Sequence, residues 1–219
     1  KALTRAAGFT GREKEHLDIE DGNIIYTPNG DILMTLKDLS MKCYYDTNHA
    51  EQLTAEVSHQ CKSNAYSFGC CFAEVEVDIP LCKVKLIDII NVHDCGRLVN
   101  PQLAKAQVHG GMSMAIGYGM NEQLLFDEKT GRPLNGNLLD YKLSTIMDHP
   151  HLEAQFVENP EPTHPYETKA LGEPPACPGG PAIRNAILNA TGVAIDELPV
   201  NSQRLYEAFK KAGLLDETG

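Results

Sequence analysis

Between Cys71 and Ile79 the chain alternates apolar and polar residues. Cys71, Ala73, Val75 and Val77 fall on one side, and Phe72, Glu74, Glu76 and Asp78 on the other. A period of two is that of a strand with one buried and one wet face. Pro80 interrupts it, and Val84 to Val92 reads as the returning strand. Upstream, Leu17 to Tyr26 holds two short apolar runs around Asp21-Gly22, a hairpin signal. Ala2 to Ala7 reads as the end of a helix, Asn29-Gly30 as a turn, and Thr35 to Leu39 as the start of a short helix. Tyr44 to Asn64 is polar and irregular and predicts mostly loop. After Asn100-Pro101 the period becomes helical, with Ala106, Gly110, Ser113 and Gly117 along one side of a helix from Leu103 to about Ala115. Gln123 to Phe126 predicts a strand before a Thr130-Gly131 turn. Pro181 and Gly192 suit the first turn and the C-terminal cap of a helix whose apolar stripe is Ile183, Ala186, Ile187 and Ala190. A last helix near Ser202 to Ala212 buries Leu205 and Phe209.

Antiparallel hairpins and a sheet packed with several separate helices make an α+β class. A small helix–hairpin segment over 1–64 and a larger portion over 65–219 are the expected divisions.

Composition narrows the function classes. Hydrophobic residues are 42% of the 219, enough for a sizeable core. A formal net charge of −11 argues against nucleic acid or an anionic membrane surface as partner, since both require a basic face. No apolar run has the length of a membrane span. The seven cysteines, Cys43, Cys61, Cys70, Cys71, Cys82, Cys95 and Cys177, are odd in number and form no C-x-x-C. That pattern points to a reducing cytoplasm rather than a disulfide framework.

Four constellations could carry chemistry. In Gly172-Glu173-Pro174-Pro175, two prolines withhold two backbone donors and stiffen an extended loop before a helix. Gly172 permits close backbone approach or an unusual φ. A carboxylate held there has the defined direction that a general base needs, although a helix dipole would equally favour a surface glutamate at that place. Gln107 lies one turn from Gly110-Gly111, where bare backbone beside a carboxamide can admit a flat polar ligand. Tight helix packing with a solvent-facing glutamine explains the same residues. His93-Asp94-Cys95-Gly96, with His109, contains metal-ligand types, but side chains of one strand diverge and cannot easily surround one ion. Cys70-Cys71 read as buried thiols. No phosphate loop, iron–sulfur cysteine pattern or serine-nucleophile elbow is present.

Taken in order, these blocks resemble the xanthine dehydrogenase (molybdenum hydroxylase) family. The blocks are Phe68-Gly69-Cys70-Cys71-Phe72-Ala73-Glu74-Val75-Glu76-Val77-Asp78, His93-Asp94-Cys95-Gly96-Arg97-Leu98-Val99-Asn100-Pro101 and Gln107-Val108-His109-Gly110-Gly111. Asp140-Tyr141-Lys142 and Lys169-Ala170-Leu171-Gly172-Glu173-Pro174-Pro175 follow. The likeness runs from about residue 65 to about residue 210 and is greatest toward the C-terminal part of separate bacterial molybdenum-binding subunits.

The resemblance implies a molybdenum–molybdopterin cofactor and hydroxylation of a ring carbon next to nitrogen, in purines such as xanthine or hypoxanthine, with oxygen from water. It implies Glu173 as catalytic base toward the metal-bound hydroxyl, and Gln107 with Gly172 as cofactor-binding residues, with no protein ligand to the metal. Iron–sulfur clusters and FAD are expected on other domains or subunits, alongside the remainder of the molybdenum subunit. The family's substrate-orienting arginine, aromatic clamp and Gly-Gln-Gly pterin loop have no counterpart in these residues. The chain is therefore expected to hold part of a site and to be inactive alone. Two alternatives stand: a family member acting on nicotinate or another N-heterocycle, and a non-catalytic structural or assembly module.

Overall fold

The structure, a computed structural model, describes residues 1–61 and 63–215. The chain divides into two compact units, Lys1–Gln60 and Cys61–Gly219, and the elements mix helix and sheet as an α+β class requires.

In the first unit helix α1 (Ala2–Thr10) ends at Gly11, whose φ of 67° provides the left-handed cap. Strands β1 (Leu17–Glu20) and β2 (Asn23–Tyr26) pair antiparallel. Asp21 and Gly22 between them both have positive φ, as a tight hairpin turn demands. Strand β3 (Asp31–Thr35) pairs with β2, and the Thr35 side chain caps helix α2 (Leu36–Tyr44) by accepting from the Asp38 N–H at 3.0 Å. Ala6, Leu17, Ile24, Leu39 and Cys43 form this unit's core. Arg5 holds the following loop through Asp46 at 2.9 Å and Glu51 at 3.0 Å.

The second unit is built on a three-stranded sheet in the order β4 (Phe68–Asp78), β5 (Lys83–Asp94), β6 (His151–Phe156). β4 is antiparallel and β6 parallel to the central strand β5. The inner face of β4 is the alternating set Cys71, Ala73, Val75 and Val77, all partly buried and packed on the core. On β5 the pairing shifts by one residue at Ile87, so that Val75 faces Leu86 but Glu74 faces Asp88. This bulge returns the inward phase, and Ile89, Asn91 and His93 face the same side as Leu86. The inner face of β5 is therefore apolar at Leu86 and Ile89 and polar at Asn91 and His93.

Helix α3 (Pro101–Ile116) starts at Asn100, whose side chain accepts from the Leu103 N–H at 3.0 Å. It buries Ala104, Val108, Gly111, Met112, Ala115 and Ile116, while Ala106, Gln107 and Gly110 stay exposed. A single π turn, Gly117–Asn121, follows. Helix α4 (Gly179–Thr191) packs against β4 through Ile183 and Ile187 and ends at Gly192 with φ 74°. Helix α5 (Ser202–Lys211) buries Leu205 and Phe209 in the same core.

Two expectations need correction. Gln123 to Phe126 is not a strand, and only an isolated bridge joins Phe126 to Pro133. Proline has no N–H to continue a ladder from that position. Cys70 is exposed rather than buried, because it alternates to the outer face of β4, whereas Cys71 is partly buried and its thiol is pushed up to about 11 by burial. No helix among the described residues is long and apolar enough to cross a membrane.

Adjacent glycines of α3 separate two effects. A Cβ on Gly111 would lie 2.8 Å from the Pro175 Cβ and 3.0 Å from the Ala176 nitrogen, whereas a Cβ on Gly110 meets nothing within 4 Å. Gly111→Ala is expected to destabilise by about 1–3 kcal/mol through overpacking. Gly110→Ala should stabilise by roughly 0.5–1 kcal/mol through helix propensity. Denaturant midpoints of the two variants check the opposite signs.

Candidate active site

The segment from Lys169 to Pro178 contains Pro174, Pro175 and Pro178 and can form few backbone ladders of its own. Side chains of neighbouring elements hold it instead. At its start the Lys169 N–H donates to the Cys95 carbonyl at 2.7 Å, and the Lys169 ammonium meets the Asp94 Oδ2 at 2.7 Å. Both side chains are buried, with 5% and 9% of their surface exposed. The other Asp94 oxygen accepts from the Gly96 N–H at 2.9 Å. Gly96 has φ +70°, and a Cβ there would clash with the Glu167 carbonyl, so the close bridge from Gly96 to Thr168 requires glycine.

Further along, the Ala170 carbonyl accepts from the Ser67 hydroxyl at 2.7 Å and stands 3.4 Å from His93 Nε2. Asn91, fully buried, donates its amide to the Pro175 carbonyl at 3.0 Å. The Tyr118 hydroxyl lies 3.0 Å from the Ala176 carbonyl and 3.1 Å from that of Cys177, and accepts from the Gly180 N–H at 3.2 Å. Gly69, paired with His93 across the sheet, leaves room for the imidazole, since its Cβ would lie 2.9 Å from His93 Nδ1.

Glu173 sits inside this network. Its backbone is at φ −85° and ψ −36°, in the right-handed helical region rather than extended as the following proline suggests. The bond from the Ala176 N–H to the Glu173 carbonyl at 2.9 Å closes a 3-10 turn, Pro174–Ala176, and outweighs the pre-proline preference. The Glu173 side chain is exposed. It lies on an open depression of about 620 Å³ lined by Ser67, Gly69, Ala170, Glu173, Pro174, Cys177 and Pro178. Gly172 has neither a positive φ nor a close neighbour; the glycine that close approach requires is Gly111, against Pro175. Gln107 donates its amide to the Gly172 carbonyl at 3.4 Å. Gln107 and Gly172 thus meet, with Glu173 next in the chain, although Gln107 does not line the depression.

The motif His93-Asp94-Cys95-Gly96 serves this loop. Asp94 is engaged by Lys169, and no group of three or more metal-ligating side chains assembles among the described residues. Burial pushes the His93 imidazole down, against the weaker pull of the Ala170 carbonyl and Asp94. Burial alone would raise the Asp94 carboxyl, but the Lys169 ammonium and the Gly96 N–H hold it below the ordinary range. His109 is likewise lowered by burial and then by Lys105 and His151. Asn91, Ser67 and Tyr118 were not singled out by sequence; a polar residue at alternate positions of an apolar strand, Asn91 then His93, was the available signal.

A molybdopterin cofactor fits these residues as part of a cradle. Open space lies above Gly110 and Gly172. The exposed Gln107 amide between them spends one hydrogen on Gly172 and keeps an acceptor and a donor for a ligand.

A family model described as a molybdopterin cofactor-binding domain matches residues 1–150. The chain belongs to that family. The first sixty residues are included, so the likeness begins earlier than the motifs alone suggested. The chain is 46% identical over 216 residues to the xanthine dehydrogenase molybdenum-binding subunit of Escherichia coli O157:H7, covering 98% of this chain and 29% of that protein. It is 29% identical over 188 residues to the carbon monoxide dehydrogenase large chain of Afipia carboxidovorans, covering 82% of this chain and 23% of that one. A crystal structure of a Cu,Mo-CO dehydrogenase superposes with a TM-score of 0.88 at 26% identity, over 98% of this chain and 28% of that chain. This molybdopterin-binding chain thus spans under a third of the length of these relatives.

The pKa directions give a signed expectation. His93 and Asp94 both have depressed values, so each contributes stability above its unfolded pKa and loses it as pH falls through the folded one. For His93 the loss begins below about pH 6.5, and for Asp94 only below about pH 4. His109 adds to the first window. Urea midpoints should fall between pH 7 and pH 5, and His93→Gln should flatten that slope in part. An unchanged slope would show that His93 is not held neutral by burial.

Proposed function

We propose that the chain supplies the base-bearing part of the active site of a molybdenum hydroxylase that oxidises purines such as xanthine or hypoxanthine with water-derived oxygen. Family membership and 46% identity to a xanthine dehydrogenase subunit support the purine reading. The observation that carries the catalytic reading is Glu173, a carboxylate with no side-chain hydrogen bond of its own among the described residues, on a loop anchored at both ends. When bound, the molybdenum cofactor supplies the two-electron chemistry. Glu173 accepts at a carboxylate oxygen the proton of the water-derived nucleophile, strengthening it as it attacks. Gln107 and Gly172 form the protein's edge toward the pterin. The small heteroaromatic substrate enters beside Glu173, and electrons leave to iron–sulfur and flavin partners outside this chain. Seven free cysteines fit a reducing compartment such as the cytoplasm.

A carbon monoxide dehydrogenase among the relatives favours one second reading, the same base applied to a different small substrate. Turnover assays of the complete subunit with its partners, on xanthine, nicotinate and carbon monoxide, separate these.

Glu173→Gln in the complete, cofactor-loaded enzyme should lower turnover by at least about a hundredfold, roughly 3 kcal/mol of barrier, with molybdenum content unchanged. A structural or assembly module predicts turnover within a few-fold of the parent. The isolated chain should carry no stoichiometric molybdenum and show no activity; metal analysis finding near-equimolar molybdenum would refute the partial-site reading.

A further inference from the structure

We infer that Asp94 is a positioning residue for Glu173, acting through its buried ion pair with Lys169; the inference rests on the reading of Glu173 as the base. Lys169 lies four residues before Glu173 on the same loop. Its ammonium is 2.7 Å from the Asp94 carboxylate, and both side chains are almost withdrawn from water. A buried charge is tolerated only where its partner stands, so displacing the loop start would strand one charge of each sign. Asp94 cannot follow such a displacement. It ends the central strand β5, and its second oxygen is committed to the Gly96 N–H. The Lys169 N–H is bonded to the Cys95 carbonyl beside it, so backbone and side chain fix the same residue on the same strand end.

The downstream end is fixed separately, by Asn91 on the Pro175 carbonyl and Tyr118 on those of Ala176 and Cys177. Glu173 lies between these anchors with Gly172 preceding it, and glycine is the residue least able to transmit a fixed direction. Removing the upstream ion pair would leave Leu171 and Gly172 held only by the Ser67 hydroxyl on the Ala170 carbonyl and the long Gln107 bond on the Gly172 carbonyl, while Pro174-Pro175 stays in place. The carboxylate would then sample several positions instead of one, and misplacement by about 1 Å can cost on the order of a hundredfold in rate.

The test uses the complete, cofactor-loaded subunit with its partners. In Asp94→Asn, amide exchange over residues 169–178 should accelerate at least about tenfold while β4 and α5 stay protected. Turnover should fall by about tenfold to a hundredfold, with KM little changed. Because Asp94 acts through Glu173, the same substitution in a Glu173→Gln background should cause almost no further loss, whereas an independent structural role would add its full effect. If Asp94→Asn does not fold, Lys169→Arg carries the same measurements. It keeps the charge, but a planar guanidinium does not reproduce the ammonium's place. Unchanged local exchange, or additive losses on top of a slow Glu173→Gln enzyme, overturns the positioning role alone. Near-normal turnover of Glu173→Gln overturns the base reading, and the positioning role with it.

Discussion

The second unit depends on one constraint: two opposite charges, Asp94 and Lys169, are buried together where the central strand meets a proline-rich loop. Taking either charge out of water costs several kcal/mol, and only a close, hydrogen-bonded partner offsets that cost. Such a pair adds little net stability compared with apolar residues of the same size. Its effect is to define one position, since a loop moved by an ångström or two would lose the compensation and keep the cost. Gly96 belongs to the same constraint, because its left-handed backbone lets the Glu167–Lys169 stretch lie against the strand end.

β5 joins this polar end to the hydrophobic core on one face. Leu86 and Ile89 pack in the core with Val108, Met112, Ile183 and Ile187. Two residues further, the same face carries Asn91 and then His93, under the loop they hold. The bulge at Ile87 makes this possible. With strict alternation from Leu86, the inward positions would be Asp88 and Ile90, and Asn91 and His93 would turn outward. Core and loop are therefore set by one register, and the loop cannot be positioned correctly on a slipped strand.

Much of this was legible in the residues. The alternation of Cys71 to Val77, the Asp21-Gly22 turn, the Asn100-Pro101 helix start and the Gly192 cap each depend on local chemistry, and local chemistry is what sequence records. The shortfalls involve partners distant in the chain. The Asp94–Lys169 pair spans 75 residues and Asn91–Pro175 spans 84, so the local sequence around His93 and Asp94 argued against a metal site without revealing the loop they hold. Glu173 was expected in extended backbone, because the pre-proline rule is local and the Ala176 bond that overrides it forms only once the turn has closed. Gly172 and Gly111 exchanged roles for a similar reason. The residue requiring a glycine lies on α3, and what it must admit is Pro175, 64 positions away by number but in contact in the fold.

The way the loop is held bears on what Glu173 can do. A side chain that accepts hydrogen bonds from its neighbours is well fixed but has less capacity to take a proton from a ligand. Glu173 makes no such bond among the described residues, and its carboxylate stands on an open depression. Direction must then come from the main chain. The chain around it is held at Lys169, Ala170, Gly172, Pro175, Ala176 and Cys177 by groups on β5, α3 and the turns beside them. Three prolines remove amide donors that the loop would otherwise have to satisfy, which leaves carbonyls as its handles. Each observed anchor from Asn91, Gln107, Tyr118 and Ser67 is a side-chain donor placed on one of those carbonyls. Anchoring the backbone while leaving the carboxylate unengaged keeps it both oriented and available, the two properties that proton acceptance at a fixed atom requires.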